Sequence, residues 1–492
     1  MGLIMKLQFI ILGLSILITC FPINAQAPDT LWTRVFVSPQ DDIGWDVEET
    51  LAGGMVIVGE TKSFGAGDLD IYVILTNEEG DAIWMRAYGG ENVDVGRAIV
   101  QSDNGDFIIA GYTTRNGYYD TDVCVLKLTD SGQILWTKTY GGNYDDRGMD
   151  LQKTNDGGYI ITGFTKSFGS GVEDVYLIKI ESNGDTMWTK TYGGQQTDIG
   201  NSVRQLKSGG YIIGGYSFPS SFTSYFDFYL IKTDANGNKI WERNYGGEAS
   251  DFGYDVIETF DEQYVMVGET RSSAMGFNDI YIIKVNGEGD TIWTKKYGGD
   301  GSDEAYSVIE TYDKKVVVAG ITNGFGNIEG GVYVLKVNDD GSKLWEKSFR
   351  FENFGAVTYS INQTKERKVI LTGKTTAGGS GSYWNAFLVM LGEDLNGFTE
   401  TSDIASTFTL EQNYPNPFNP STKIQYSVNS TQNVILKVYD LLGREIAILV
   451  NEEKPAGEYE VEFNANSHSG EVLNLTSGIY FYQLKVGNYV ET

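Results

Sequence analysis

The sequence predicts an all-β fold: a seven-bladed β-propeller with four strands per blade, followed by a small β-sandwich. Two observations predict the propeller, namely a short phrase that recurs at a nearly constant interval and strand-like runs between its copies. A third observation, the end of the repeat after residue 395, predicts a separate C-terminal domain.

The recurrent phrase is DTMWTKTYGG at residues 185–194, and its tryptophan has a counterpart in every copy. The seven tryptophans are Trp32, Trp84, Trp136, Trp188, Trp241, Trp293 and Trp345. Neighbouring tryptophans are 52 or 53 residues apart. This period exceeds that of helical-pair repeats and is close to that of four-stranded propeller blades.

Each copy contains four strand-like pieces, which we name a, b, c and d in chain order. In the third copy they are residues 148–152, 159–163, 174–179 and the tryptophan strand. Their apolar runs are nearly continuous, which is typical of sheets covered on both faces. Strand b ends on a glycine in every copy. We expect that a side chain there would collide with a neighbouring strand or blade, or that the backbone needs a positive φ. These glycines are Gly59, Gly111, Gly163, Gly215, Gly268, Gly320 and Gly373.

The count of strands predicts how the ring closes. The first tryptophan strand, at residues 31–34, precedes any a–b–c set, and the seventh set, at 356–391, has no tryptophan strand after it. The N-terminal strand can therefore complete the last blade, which closes the ring and leaves no free sheet edge.

The composition is that of an acidic globular protein. The chain of 492 residues has 66 Asp and Glu against 37 Lys and Arg, with a formal net charge of −29. Such a surface repels phosphate backbones, so nucleic acid is not an expected partner. Solubility outside the cell and the collection of cations both remain open as reasons for the charge. We expect a monomer.

Residues 1–27 indicate a signal peptide, with Lys6 before an apolar run at 7–18 and small residues at Ala25 and Ala27. An alternative is a lipoprotein signal in which Cys20 would carry the lipid. The predicted parts are then the propeller at 28–395, a linker at 396–407 and the C-terminal domain at 408–492. The expected location is extracellular or at the cell surface, reached through the periplasm and the outer membrane.

Ligand-binding residues are expected on one face of the ring. The d–a and b–c loops emerge there and vary among the copies, whereas the a–b and c–d turns are short and rich in Asn, Asp and Gly. Variation on a uniform scaffold indicates a binding surface. Its aromatic candidates are Tyr118, Tyr119, Phe222, Tyr225, Tyr383 and Trp384.

Two interpretations apply to an aspartate that recurs in the d–a loops. The residues are Asp94, Asp146, Asp198, Asp251 and Asp303. Near the mouth of a central channel their oxygens could bind Ca²⁺. Alternatively, each carboxylate accepts backbone N–H bonds and holds its own loop. We favour the second and predict no cofactor, with Ca²⁺ as the open alternative. A second recurrent acid begins strand c, for example Asp122 and Asp174.

Catalysis finds little support in the repeats. The one histidine, His468, lies outside them, which excludes a Ser–His–Asp triad or a His-ligated zinc in the propeller. No copy carries a large insertion with a distinctive acid pair. We therefore predict a binding scaffold for a protein or a glycan. The alternative is a carbohydrate-active enzyme, a glycoside hydrolase or a lyase, because such enzymes need only carboxylates.

The C-terminal segment has strand-like runs at 423–428, 434–439, 458–463 and 479–485, which predict the β-sandwich. Three of its phrases resemble the type A C-terminal sorting domain of type IX secretion substrates (the Por secretion system). They are Tyr414-Pro415-Asn416-Pro417-Phe418-Asn419-Pro420, Val438-Tyr439-Asp440-Leu441-Leu442-Gly443-Arg444-Glu445 and Ser477-Gly478-Ile479-Tyr480-Phe481-Tyr482. The repeats themselves resemble propeller-like repeats of secreted bacterial proteins.

The resemblance to the sorting domain implies an immunoglobulin-like fold that directs export across the outer membrane, with the secretion machinery as its partner. Members of that family usually continue beyond the position of Thr492 with a basic and apolar strand. The domain is therefore expected to lack its last strand here.

Overall fold

A computed structural model describes the chain as two compact units, Met1–Asp394 and Leu395–Thr492. In the first unit it describes residues 27–115, 120–219, 225–272, 277–323, 330–351, 354–378 and 383–393. In the second it describes residues 409–410, 413, 421–428, 432–440, 444–454, 457–464, 467–468, 471–472, 480–486 and 489–491. The predicted signal peptide and linker lie outside the described residues, except for Ala27.

The first unit consists of seven four-stranded antiparallel sheets, one for each blade. The strands of blades 1 to 3 are β2–β5 (Asp42–Glu49, Met55–Thr61, Asp70–Thr76, Ala82–Tyr88), β6–β9 (Asp94–Gln101, Phe107–Thr114, Thr121–Leu128, Ile134–Tyr140) and β10–β13 (Asp146–Lys153, Tyr159–Thr165, Asp174–Ile180, Thr186–Tyr192). Those of blades 4 to 6 are β14–β17 (Asp198–Gln205, Tyr211–Ser217, Asp227–Thr233, Lys239–Tyr245), β18–β21 (Asp251–Glu258, Tyr264–Thr270, Asp279–Val285, Thr291–Tyr297) and β22–β25 (Asp303–Glu310, Val316–Thr322, Gly331–Val337, Lys343–Phe349). Blade 7 contains β26–β28 (Ala356–Gln363, Lys368–Thr375, Asn385–Glu393) and the N-terminal strand β1 (Thr30–Phe36).

The predicted ring closure is confirmed. Strand β1 pairs antiparallel with β28, so that Thr33 lies opposite Val389 and completes the last blade. Seven hydrophobic clusters of described residues fill the seven junctions between neighbouring blades. The junction between blades 7 and 1 has such a cluster too, in which Phe36 packs with Val47 and Met390. The last blade is thus packed against the first like any other pair.

The b and c strands lie between neighbouring blades and are buried almost throughout, which explains their continuous apolar runs. The d strands are outermost and mostly exposed, and their tryptophans are only half-buried in six of the seven copies, Trp345 being the exception. Each indole covers a turn of the next blade. Gly237, for example, has a φ of +72°, and a Cβ there would lie 2.7 Å from the ring of Trp188. The tryptophan of one copy and the turn glycine of the next copy are therefore in contact between blades.

The second unit is a β-sandwich built on two sheets. One contains β29 (Thr409–Leu410), β30 (Ser421–Val428) and β33 (Gly457–Asn464), and the other contains β31 (Gln432–Asp440), β32 (Glu445–Lys454), β36 (Tyr480–Val486) and β37 (Tyr489–Glu491). A short pair, β34 (Ser467–His468) and β35 (Glu471–Val472), lies beside them. Ile424 and Tyr426 of the first sheet pack on Leu436 and Leu484 of the second. The four predicted strands are present, and β32 is a strand that the sequence pattern did not predict. Within the described ranges, no helix has the length and apolarity that a membrane crossing requires.

Candidate functional site

The innermost strand of every blade contains a β-bulge at its fourth residue. In blade 1, for instance, the pairing with strand b shifts between Gly44 and Asp46, which leaves Trp45 as the extra residue. A bulge bends its strand and re-aims the extra side chain. Here all seven line the central channel or its wall, and we call them the bulge ring. They are Trp45, Arg97, Met149, Asn201, Tyr254, Tyr306 and Tyr359.

The recurrent glycine at the end of strand b lies directly opposite this bulge. A Cβ on Gly163 would stand 1.8 Å from the carbonyl oxygen of Arg147, on strand a of the same blade. The other six glycines of this set have the same short distance, 1.8 or 1.9 Å, to the equivalent carbonyl. None of the seven has a positive φ. The expected collision is therefore with a neighbouring strand, and the positive-φ alternative is wrong.

Four members of the bulge ring form a continuous aromatic arc. The ring centroids of Trp45 and Tyr359 are 4.3 Å apart, those of Tyr359 and Tyr306 are 5.1 Å apart, and those of Tyr306 and Tyr254 are 5.1 Å apart. The other three members of the bulge ring, Arg97, Met149 and Asn201, are not aromatic. The channel is therefore asymmetric although its scaffold repeats.

A layer of carboxylates below the bulge ring divides the channel into two cavities. On the side of the d–a and b–c loops the cavity has about 420 Å³ and is lined by the bulge ring and Tyr216. On the side of the a–b turns it has about 670 Å³. Between them, the guanidinium of Arg204 donates to Asp150 at 2.6 Å and to Asp255 at 2.9 Å. We call the first space the loop-side cavity.

The dividing carboxylates also join blades. Asp46, Asp150 and Asp255 each accept a backbone amide of the next blade, at distances of 2.8 to 3.0 Å. Burial raises the pKa of Asp46 to about 6, although the amide of Ile99 and the hydroxyl of Ser360 donate to it. The layer contains three carboxyl groups and one arginine. Because the pKa of Asp46 is about 6, the net charge of the layer changes with pH near neutrality.

Two cations pack on the arc at one end. The guanidinium carbon of Arg97 lies 3.9 Å from the ring centroid of Trp45. The ammonium nitrogen of Lys374 lies 5.5 Å from Tyr359 and 4.8 Å from Trp384. The nearest carboxylate, Glu60, is occupied by the indole N–H of Trp45 at 3.1 Å.

Two carboxyl groups adjoin the other end of the arc. Asn278 Nδ2 donates to Glu269 at 2.9 Å and to Glu304 at 3.1 Å. The hydroxyl of Tyr306 also donates to Glu304. Burial, and then repulsion by Glu304, raise the pKa of Glu269 to about 8. Burial and the neighbouring carboxyl group therefore favour the protonated form of Glu269.

The recurrent aspartates of the d–a loops do not meet at the channel mouth. In each of the five loops the aspartate accepts the N–H of the second glycine of the phrase, for example Gly142 to Asp146 at 2.7 Å. Each also lies beside the aspartate that begins strand c of the preceding blade. A Cβ on Gly141 would lie 2.0 Å from Asp122 Oδ1 and 2.7 Å from Asp146 Oδ2. The described residues contain no group of three acids, histidines or cysteines that could hold a metal. The absence of a cofactor, with Ca²⁺ as the alternative, stays a prediction.

The predicted aromatic loop residues are placed as follows. Tyr118, Tyr119 and Phe222 lie outside the described residues. Tyr225 and Tyr383 are exposed, at 43% and 45%. Trp384 is half-buried and adjoins the arc through Lys374. Only Trp384 of these residues is thus connected to the bulge ring by a described contact.

The bulge ring and the acid pair were missed by the sequence reasoning. A signal was present, because the fourth residue of strand a is of five different kinds among the seven blades, while the glycine or small residue before it and the strand around it repeat. Glu304 is also the one acid at a position where most copies carry an apolar residue, and Glu269 shares its position in the repeat with one other acid, Glu60. Glu269 and Glu304 are 35 residues apart in sequence, and only the packing of blade 5 on blade 6 brings them together.

The sorting motifs fall partly within the described residues. Arg444 donates from Nε to Asp440 at 2.7 Å, across the turn between β31 and β32. Tyr480 begins β36 and packs beside Val438 and Phe463. Outside the described residues are Tyr414, Pro415, Asn416, Pro417, Phe418, Asn419, Pro420, Gly443 and Gly478.

Comparisons with known proteins find a family match for the second unit. Residues 412–492 match the family described as "Secretion system C-terminal sorting domain". The regulatory protein FlaEY of Caulobacter vibrioides is 23% identical over 315 residues, which are 56% of this chain and 32% of that protein. The chain thus spans about a third of this relative's length.

Similar solved structures include the WD40 domain of Neurospora crassa Pan2, at 11% identity and a TM-score of 0.47, covering 75% of this chain and 97% of that chain. PorZ, a surface component of the type IX secretion system of Porphyromonas gingivalis, has 11% identity and a TM-score of 0.33, covering 89% of this chain and 63% of that chain.

Strand topology and the matched family together define the protein. Seven four-stranded sheets close into a ring through β1, and the tail carries the signal for export. The protein is a seven-bladed β-propeller with a type IX secretion C-terminal sorting domain, which sends it to the cell surface or the extracellular space.

Proposed function

We propose that the protein is an exported binding scaffold that takes a glycan or protein ligand at the loop-side cavity. One observation carries the proposal: the bulge ring is the place where a repeated scaffold presents seven side chains of five different kinds to one cavity. A ring serving only stability has no need of this variety, since the same bulge occurs in every blade. Variation on a rigid scaffold supports a recognition role.

The lining favours a glycan over a folded protein surface. About 420 Å³ is the size of a small-ligand site. Aromatic faces with hydroxyl and amide groups beside them suit sugar rings, which are apolar on one face and polar at the edge. Trp45, Tyr254 and Asn201 supply these two kinds of group.

The test is binding of the purified propeller to a glycan array, followed by titration of each hit. Tyr359→Ala should weaken binding about tenfold or more, because it removes the centre of the arc. Tyr144→Ala is the matched control, since Tyr144 is 64% exposed on a d–a loop of the same face. Equal affinity of the two variants would contradict the proposed site.

The second candidate function, a carbohydrate-active enzyme, is favoured by the pair Glu269 and Glu304. A carboxyl group whose pKa is about 8 can donate a proton at neutral pH, as a general acid must. Polysaccharide turnover that Glu269→Gln abolishes, while glycan binding persists, would favour this candidate. Binding without turnover in the wild type favours the scaffold.

A further inference from the structure

The guanidinium of Arg97 is attracted by Glu60, a carboxylate that also accepts the indole N–H of Trp45, but it has no ion-pair partner among the described residues. It stacks on Trp45. Its Nε is buried and has no hydrogen-bond partner. Removing a cation from water without such partners costs free energy.

Lys374 is a second cation that packs on aromatic rings, next to the ring of Trp45. Its ammonium group packs on Tyr359 and Trp384, and no ion pair joins it to a described residue. Arg97 and Lys374 therefore bracket the Trp45–Tyr359 end of the arc. Two unpaired cations adjoin one aromatic surface.

This is unusual in a chain with 66 acidic and 37 basic residues, where a basic side chain can easily find an acid. Other cations of the propeller are paired, for example Arg204 with Asp150 and Asp255, and Lys336 with Asp313 at 2.6 Å, whereas Arg350, like Arg97, has buried guanidinium nitrogens without a hydrogen-bond partner. The missing partner at the arc points to an anionic group that comes from a ligand.

The opposite end of the arc has the opposite polarity. There, the carboxyl groups of Glu269 and Glu304 adjoin Tyr306. An anionic group is thus attracted to blades 1, 2 and 7 and repelled from blades 5 and 6. The arc can orient a ligand as well as hold it.

We propose that the loop-side cavity binds an acidic saccharide, whose carboxylate or sulfate group pairs with Arg97 and Lys374 while its sugar ring lies on Trp45 and Tyr359. A guanidinium presents two parallel N–H donors to such a group, and an ammonium adds a point charge. This inference rests on the proposed function, because it assigns the ligand class of that same cavity.

The experiment is calorimetric titration of the propeller with three kinds of oligosaccharide: a uronate without sulfate, a sulfated neutral sugar, and an uncharged glucan. At least one acidic oligosaccharide should bind about tenfold more tightly than the glucan, and Arg97→Gln should remove about tenfold to hundredfold of its affinity. Affinity for that ligand should fall with added salt in the wild type and much less in Arg97→Gln. The first two ligands distinguish a carboxylate from a sulfate.

Arg243→Gln is the matched control, since it removes the same charge from an exposed position on an outer strand. Lys374→Gln repeats the test at the second cation and decides it if Arg97→Gln does not fold. Binding of the glucan as tightly as the acidic sugars, with Tyr359→Ala but not Arg97→Gln losing affinity, overturns this inference and leaves the proposed function standing. Absence of binding by all three ligands contradicts both.

Discussion

The hydroxyl of Tyr192 donates a 2.6 Å hydrogen bond to the carbonyl oxygen of Gly237, in the c–d turn of the next blade. Other blades repeat this bond: Tyr88 to Gly132, Tyr140 to Gly184 and Tyr245 to Gly289. The tyrosine of the repeated phrase therefore joins five of the blades to their successors, whereas Phe36 and Phe349 take its place in the other two.

Tyr192→Phe should lower the free energy of unfolding by about 1 kcal/mol, because it removes one hydrogen bond and leaves the Gly237 carbonyl without that donor. Urea denaturation measures the change. Tyr144→Phe serves as the control, because Tyr144 is 64% exposed and its hydroxyl remains in water. If both variants unfold at the same urea concentration, the bond between blades contributes nothing.

Gly163→Ala should destabilise the propeller by about 3 kcal/mol or more, since the new Cβ meets the Arg147 carbonyl oxygen at 1.8 Å and two strands must separate. Gly194→Ala should be nearly neutral, because no heavy atom lies within 4 Å of its Cβ position. Thermal unfolding of the two variants compares them directly. A folded, fully stable Gly163→Ala would contradict the close approach at the bulge.

Deletion of residues 30–36 should destabilise the whole ring, because it opens the last blade and uncovers Phe36's cluster at the junction with blade 1. Trp32→Ala should cost about 2 kcal/mol, less than at a core position, since its indole is only half-buried. Differential scanning calorimetry checks both. A deletion variant that melts like the wild type would show that β1 does not close the ring.

The stability of the propeller should fall as the pH rises from about 5 to about 8. The folded-state pKa of Glu269 is raised to about 8, from an ordinary value of 4.5, first by burial and then by Glu304. Below the pKa of the unfolded state, Glu269 is protonated in both the folded and the unfolded protein. Between the two pKa values it is protonated only in the folded protein, so the free energy of unfolding falls as the pH rises. Asn278, Arg271 and Tyr254 also surround this carboxyl.

Glu269→Gln should flatten this dependence, because glutamine resembles the protonated carboxyl at every pH. Melting temperatures at pH 5, 6, 7 and 8 measure the slope for both proteins. Since Asp46 and Asp198 also have a pKa raised to about 6 by burial, part of the slope below pH 6 should persist. An identical slope in both proteins above pH 6 would contradict the raised pKa of Glu269.

Removal of the residues after Leu395 should leave a folded propeller in the periplasm, because the two parts are separate compact units and the sorting domain lies in the second. Immunoblots of cell fractions and medium compare the truncated chain with the full chain in a host that has type IX secretion. Equal amounts of both forms in the medium would contradict the role of the tail.

The local pattern of this sequence determined the scaffold. Three signals are sufficient for seven closed blades: the period of 52 or 53 residues, the glycine at the end of every strand b, and the N-terminal tryptophan strand that matches an incomplete seventh set. Each signal describes contacts that recur from copy to copy. The phrases of the tail likewise determined the export domain.

Only the tertiary structure decided where the site is. The seven residues of the bulge ring vary in type while the strands around them repeat, so they share no sequence motif. Their common feature is that the backbone bulge points each side chain toward the central channel. Glu269 and Glu304 are two acids among 66 in the chain, and they become neighbours around Asn278 because adjacent blades bury them together. Arg97 is one more basic residue until the ring places it on Trp45 without an ion pair to a described residue. Such chemistry arises from distances between blades, which a linear pattern does not contain.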